Sequence, residues 1–223
     1  MLVLMAATAS LAGECVLPDP AALAMQYDWH RRNEKNTCLR RINDIPVDYF
    51  MLALSYSPRF CRESARDFRT GAVRPHNAFQ CEGGNAFGWV VHGLWAQSRH
   101  PGTCRDNGKP VALHPRYCRG DEVGPLDPRV IRQYLCVLPG ESLLQGEWEK
   151  HGTCGGFGSA AEYFAKTRQL YEALVLPKED VRPPRLFRVL KQANPGLKEV
   201  RIGYASGEIR ICYDRKWQYI DCP

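Results

Sequence analysis

The chain has 223 residues, 44% hydrophobic and 24% charged, with 30 Lys and Arg against 24 Asp and Glu, for a formal net charge of +6. That balance excludes a disordered chain and leaves room for one large folded domain with a substantial core. The basic excess is small; it favours polyanionic partners by attraction without requiring one.

The first residues, MLVLMAATASLAGEC, are apolar and small, with Ser10 and Ala12 at the −3 and −1 positions of a signal-peptidase site. Residues 1–12 therefore read as a signal segment, truncated because no basic residue precedes the apolar run. It is too short to span a bilayer, and no other apolar run approaches about 18 residues, so no membrane association is expected. The ten cysteines lie at 15, 38, 61, 81, 104, 118, 136, 154, 212 and 222, with no Cys-x-x-Cys pair. Zinc ribbons and redox switches need such close pairs; an even, dispersed set reads as about five structural disulfides formed in an oxidising compartment. Buried reduced thiols are the alternative. The chain is expected to be secreted or periplasmic.

Neither an internal repeat nor a linker divides the rest, so 13–223 reads as a single domain. FMLALSYS (50–57) is an apolar strand ended by Pro58. AFGWVVHGLW (86–95) alternates Phe87, Trp89 and Val91 with Gly88, Val90 and His92, which carries His92 at or near the end of a strand. Asp127-Pro128 caps and opens a helix through Val130, Ile131, Tyr134, Leu135 and Leu138. SAAEYFAKTRQLYEAL (159–174) opens with the capping box Ser159/Glu162 and lines up Tyr163, Phe164, Thr167, Leu170, Tyr171 and Leu174. LFRVLKQ (186–192) is a shorter helix halted by Asn194-Pro195-Gly196. EVRIGYASGEIRICYD (199–214) reads as a hairpin about a Ser-Gly turn, with Ile209, Ile211 and Tyr213 on one face. Helices and strands mix without strict alternation, which argues α+β: an antiparallel sheet flanked by helices. The basic stretches 59–69 and 182–191 read as solvated surface, with tracking of a phosphate backbone as the alternative.

The chemistry concentrates in two places. In GEWEKHGTC (146–154), a helix end would put Glu147, Lys150 and His151 on one face with Trp148 pointing elsewhere. Such a face is either a solvated salt-bridge ladder or a site. His92, 59 residues earlier, is followed by Gly93, Leu94 and Trp95. Two histidines, a Glu/Lys pair and a tryptophan supply an acid, a base, charge stabilisers and a stacking platform.

VVHGLW (90–95) and EWEKHGTC (147–154) resemble the two signature blocks of the ribonuclease T2 family, secreted disulfide-bonded acid endoribonucleases. LALSYSPRFC (52–61), YFAKTRQLY (163–171) and EIRICYD with a terminal Cys-Pro fit the same family, its bacterial periplasmic branch above all, so the resemblance runs over about 48–223. Residues 13–47 have no counterpart in it. It implies cofactor-free and metal-free cleavage of single-stranded RNA by the RNA's own 2′-hydroxyl, giving 2′,3′-cyclic and then 3′-phosphates and leaving DNA uncut. In this reading His151 is the base, His92 the acid, Lys150 the phosphorane partner, Glu147 an orienting or hydrogen-bonding group and Trp95 a base-stacking residue, all within a monomer. Two departures stand out: Gly146 where the family often has a third, phosphate-binding histidine, and Ala96-Gln97 after the tryptophan, so no base preference is carried to Gln97. The resemblance further implies the disulfides Cys104–Cys154, Cys61–Cys81 and Cys212–Cys222; among the cysteines left, Cys118–Cys136 and Cys15–Cys38 are the expected pairs. A basic binding module that grips a polyanion without cutting it, and a zinc hydrolase built on His92, His151 and Glu147, are the competing readings.

Overall fold

A computed structural model describes residues 15–19, 45–120 and 123–223. The expected leader over 1–12 lies outside the described residues.

The central strand β1 (Tyr49–Tyr56) is the apolar run read from the sequence. Its alternate residues Phe50, Leu52 and Leu54 enter the main core, while Tyr49 and Met51 face the other side of the sheet. The helix α1 (Ser57–Glu63) follows without a loop, with Pro58 in its first turn, where a missing N–H costs nothing. A single turn α2 (Ala78–Cys81) leads into β2 (Trp89–Gln97). The hairpin β3 (Gly102–Asp106) and β4 (Lys109–Leu113) turns at Asn107-Gly108, both at positive φ as a tight two-residue turn requires. Helices α3 (Pro128–Tyr134), α4 (Glu141–Lys150), α5 (Ala160–Glu172) and α6 (Arg185–Ala193) come next. The strands β5 (Gly203–Ala205), β6 (Glu208–Asp214) and β7 (Tyr219–Ile220) close the described chain.

The main sheet is antiparallel throughout, in the order β2-β1-β6-β5, with β7 on β6. Helices flank it, so the α+β class holds. The caps act as the sequence indicates: Asp127 accepts from the Arg129 N–H at 2.8 Å and Ser159 from the Glu162 N–H at 3.2 Å. The terminal hairpin is shorter than expected, because Val200 and Ile202 precede β5. Arg201 there bonds instead to Asp221 and to the Cys222 backbone.

As an edge strand, β2 would leave backbone groups open. Tyr171 Oη donates to the Trp89 carbonyl at 2.7 Å, and the Val91 N–H donates to the Val137 carbonyl at 3.0 Å. Tyr163 Oη both donates to and accepts from the Leu94 backbone. Two tyrosines of α5 thus rivet the strand that carries His92.

Cys61–Cys81 and Cys212–Cys222 are bonded. The other three expected pairs are corrected. Cys154 bonds Cys118, not Cys104, because the segment that docks on the end of α4 is 116–118, where the Tyr117 N–H donates to the Lys150 carbonyl at 3.0 Å. Cys104 is itself disulfide-bonded and lies in β3. Cys136 bonds Cys15 rather than Cys118, since residues 15–19 run along α3, with Arg132 donating to the Pro18 carbonyl at 2.8 Å. Cys15 is therefore not available to Cys38. Arg59, read as surface, is buried on Asp180 and Tyr204 and belongs to the scaffold.

Candidate active site

A β-bulge sets His92 out of the sheet. Ala53 pairs with Gly93 and Leu54 with Val91, so His92 has no partner across the ladder. The extra residue shifts the alternation: Trp89 and Val91 face the core before it, Leu94 and Ala96 after it. His92 and Trp95, three apart, come to stand on one face.

The second block arrives on α4. Leu144 and Trp148 sink into the core, which turns Glu147 the other way. His151 is the residue that ends the helix, its N–H still bonded to the Glu147 carbonyl at 3.0 Å. Gly152 then lets the chain pass against the Trp148 and Tyr163 rings, where a Cβ would sit 2.4 Å from Trp148. The salt-bridge-ladder alternative fails for Glu147 and His151, since both are buried.

The groups converge. Glu147 Oε2 accepts from Trp95 Nε1 at 2.8 Å, and its Oε1 lies 3.7 Å from His92 Nε2. A Cβ on Gly93 would fall 1.7 Å from Glu147 Oε2, so only glycine allows the carboxylate this close to β2. The Trp95 ring lies 5.2 Å from that of His92 and 5.6 Å from that of His151, which puts the two imidazole centres less than 11 Å apart. Arg210 also lies over Trp95, 5.5 Å from its centre. Trp95 thus holds Glu147 and packs near both histidines, contacts that the sequence reading of a stacking platform did not include.

Glu208 is a member the sequence reading missed. Its Oε1 lies 2.6 Å from His92 Nδ1. Burial works against a protonated His92, but this hydrogen bond and the charges of Glu147 and Glu208 outweigh it and hold the imidazole above its ordinary range. Burial pushes Glu147 up, partly opposed by His92, Lys150 and the Trp95 hydrogen bond. Burial also drives His151 well down, and the positive charges of Arg116, Lys150 and His92 push the same way. Its Nδ1 is buried with no hydrogen-bond partner among the described residues. The two histidines are therefore tuned in opposite directions.

Two cavities meet at His92, Glu147 and Lys150. The smaller, of about 280 Å³, also touches His76, Gln80 and Gly146. The larger, of about 680 Å³, holds His151 and Trp95 together with Arg116 and Arg210. Among the described residues no group of three or more His, Cys, Asp or Glu has the arrangement of a metal site, and no helix is long and apolar enough to cross a membrane.

A bulged histidine strand facing a helix that ends in Glu-x-x-Lys-His defines a class, and the sequence comparison agrees with it: the profile of the ribonuclease T2 family matches residues 47–195. The chain belongs to the ribonuclease T2 family. It is 46% identical over 178 residues to a probable ribonuclease of Haemophilus influenzae, covering 79% of this chain and 61% of that one. It is 32% identical over 109 residues to a ribonuclease of Aeromonas hydrophila, covering 49% of this chain and 38% of that one. The chain thus spans 61% and 38% of the length of these two relatives. In fold it is similar to trichomaglin, described as an S-like ribonuclease, with a TM-score of 0.51 at 21% identity over 80% of this chain and 92% of that one.

Proposed function

We propose that this chain is an endoribonuclease that cuts single-stranded RNA by transphosphorylation, using His151 as base and His92 as acid. The observation that carries the reading is the convergence of His92, His151 and Glu147 about Trp95, with the two imidazoles tuned in opposite directions. With two unperturbed histidines, both near 6.5, at most about a quarter of molecules would hold His151 neutral and His92 protonated at once. Here burial and neighbouring positive charge favour a neutral His151, while Glu208 and Glu147 favour a charged His92.

In the proposed step, His151 takes the 2′-hydroxyl proton and the 2′-oxygen attacks phosphorus. The P–O5′ bond breaks, and His92 protonates the departing 5′-oxygen. A 2′,3′-cyclic phosphate remains, which water opens to a 3′-phosphate by the reverse proton path. Lys150, lining both cavities, lies where the phosphorane gathers charge. Glu147, raised by burial, donates to a phosphoryl oxygen when protonated. Glu208 acts through His92 as its orienting carboxylate, and Trp95 as the spacer that fixes Glu147.

His151 lines only the larger cavity, so the attacking nucleotide belongs there and the leaving one in the smaller. One chain carries every group, which favours a monomer. The disulfides fit work outside the reducing cytosol, in the periplasm or beyond the cell.

The test is product analysis on a dinucleoside monophosphate in excess chelator. Cyclic phosphate from the ribo form, with the 2′-deoxy form intact, is the expected result. Comparable cutting of DNA overturns the mechanism. RNA bound but uncut would favour a polyanion-binding module instead.

A further inference from the structure

The larger cavity carries more positive charge than cleavage uses. Arg99, Arg116 and Arg210 all line it, and each guanidinium lies near an aromatic ring: Arg99 6.0 Å from the centre of Tyr49, Arg116 5.7 Å from Tyr117, Arg210 5.5 Å from Trp95. Rings that flank a guanidinium fix its plane and leave the N–H edge directed sideways. Arg210 Nε is buried with no hydrogen-bond partner among the described residues, a costly state that an anion would relieve. The carboxylate that lines this cavity, Glu147, is already engaged by Trp95 and His92. Asp48 accepts from the Arg99 backbone N–H and from Ser98. Burial and the Arg116 charge also hold His114, in the same cavity, below its ordinary range.

We propose that the arginines of the larger cavity bind the phosphate on the 5′ side of the nucleotide whose 2′-hydroxyl attacks. The inference rests on the cleavage reading for its direction. His151 puts the attacking nucleotide in this cavity, and its 3′-phosphate is the one being cut, at the residues the two cavities share. Its 5′-phosphate is the remaining anion within reach. Recognition thus extends one phosphodiester upstream of the cut, and paired Arg forks suit a phosphate better than a base.

The test compares NpN, which carries only the scissile phosphate, with pNpN of the same bases. At low salt kcat/KM is expected to be at least about tenfold higher for pNpN, with the gain shrinking as salt rises. Arg210→Ala and Arg99→Ala should each draw the pNpN/NpN ratio toward one, and Arg210→Lys should keep part of it. Arg99 is exposed, so its variant serves if Arg210→Ala fails to fold. The 2′-deoxy versions bind without reacting, and calorimetry on them gives the same comparison as a ratio of Kd values. Equal affinity of the deoxy pair overturns the arginine site even if RNA is cut. So does a 5′-phosphate gain that survives both arginine-to-alanine changes. A gain in binding with no cleavage of either ribo substrate keeps the site and sinks the ribonuclease reading.

Discussion

The two histidines differ in what holds them. His92 rides a bulge on an edge strand, 39% exposed in its side chain, with Glu208 on one ring nitrogen and Glu147 near the other. His151 ends a helix, buried, with positive groups around it and no partner for Nδ1 among the described residues. The same side chain is pushed toward its charged form in one place and toward its neutral form in the other. Proton chemistry of this kind needs no unusual residue, only two unlike surroundings set close together.

Removing either ring abolishes the contrast outright. His92→Ala and His151→Ala should each lower kcat on RNA by about 10²–10⁴-fold. Loss confined to KM would show instead that the ring only binds substrate. A subtler break is Gly93→Ala, which sets a methyl 1.7 Å from Glu147 Oε2 and forces the carboxylate off Trp95. About 10²-fold loss is expected, since misplacement of about 1 Å costs that much. Near-wild-type rate with unchanged circular dichroism would mean that the Glu147–Trp95 contact is not needed.

Glu208→Gln tests the His92 half alone. Without the carboxylate the imidazole titrates lower, so the alkaline limb of the pH–rate profile moves to lower pH. About tenfold activity is lost above neutrality and little at acid pH. The sign for stability follows. A histidine raised in the folded state stabilises fully below its unfolded value, near 6.5, and loses that contribution as pH rises through the folded value. The variant should therefore lose more Tm at pH 5 than at pH 9. An unshifted alkaline limb would remove Glu208 from any role through His92.

The two histidines and the Glu/Lys pair were legible in the sequence; the surroundings that make them differ were not. The 3.6-residue period put Glu147, Lys150 and His151 on one helix face, and period two placed His92 opposite Val91. The same alternation that put Ile209 and Ile211 in the core put Glu208 and Arg210 on the site face. Nothing in the sequence said that β6 lies just across β1 from β2, 116 residues from His92. The bulge was hidden too, because a one-residue slip leaves composition unchanged. The failed disulfide pairs turn on tertiary choices: Cys118 and Cys15 are set by which segment docks on α4 and α3. Cys61–Cys81 and Cys212–Cys222 were implied by the resemblance, not by spacing. Asn107-Gly108, by contrast, is a plain turn signal that the reading passed over.

The smallest expected effect concerns the cavity on the leaving side. The family often carries a third histidine where this chain has Gly146, and a Cβ there would meet nothing within 4 Å. Gly146 and Lys150 are one helical turn apart and both line the smaller cavity, so an imidazole at 146 would point its nitrogen toward the phosphate region shared with His92. Gly146→His therefore adds a donor whose Cβ meets no neighbour, and it replaces a residue that costs about 1 kcal/mol relative to Ala in a helix interior. A rise of a few-fold in kcat/KM is expected at acid pH, where the new ring is charged. The rise should fade as pH climbs through the histidine range, because a neutral ring beside Lys150 offers little to an anion. The Tm should not fall. His76, which already lines that cavity, separates two explanations of a null result: if Gly146→His is silent in the wild type but active in His76→Ala, His76 already fills the third-histidine role. If it is silent in both, the leaving-side phosphate contact this family position supplies is not limiting in this chain.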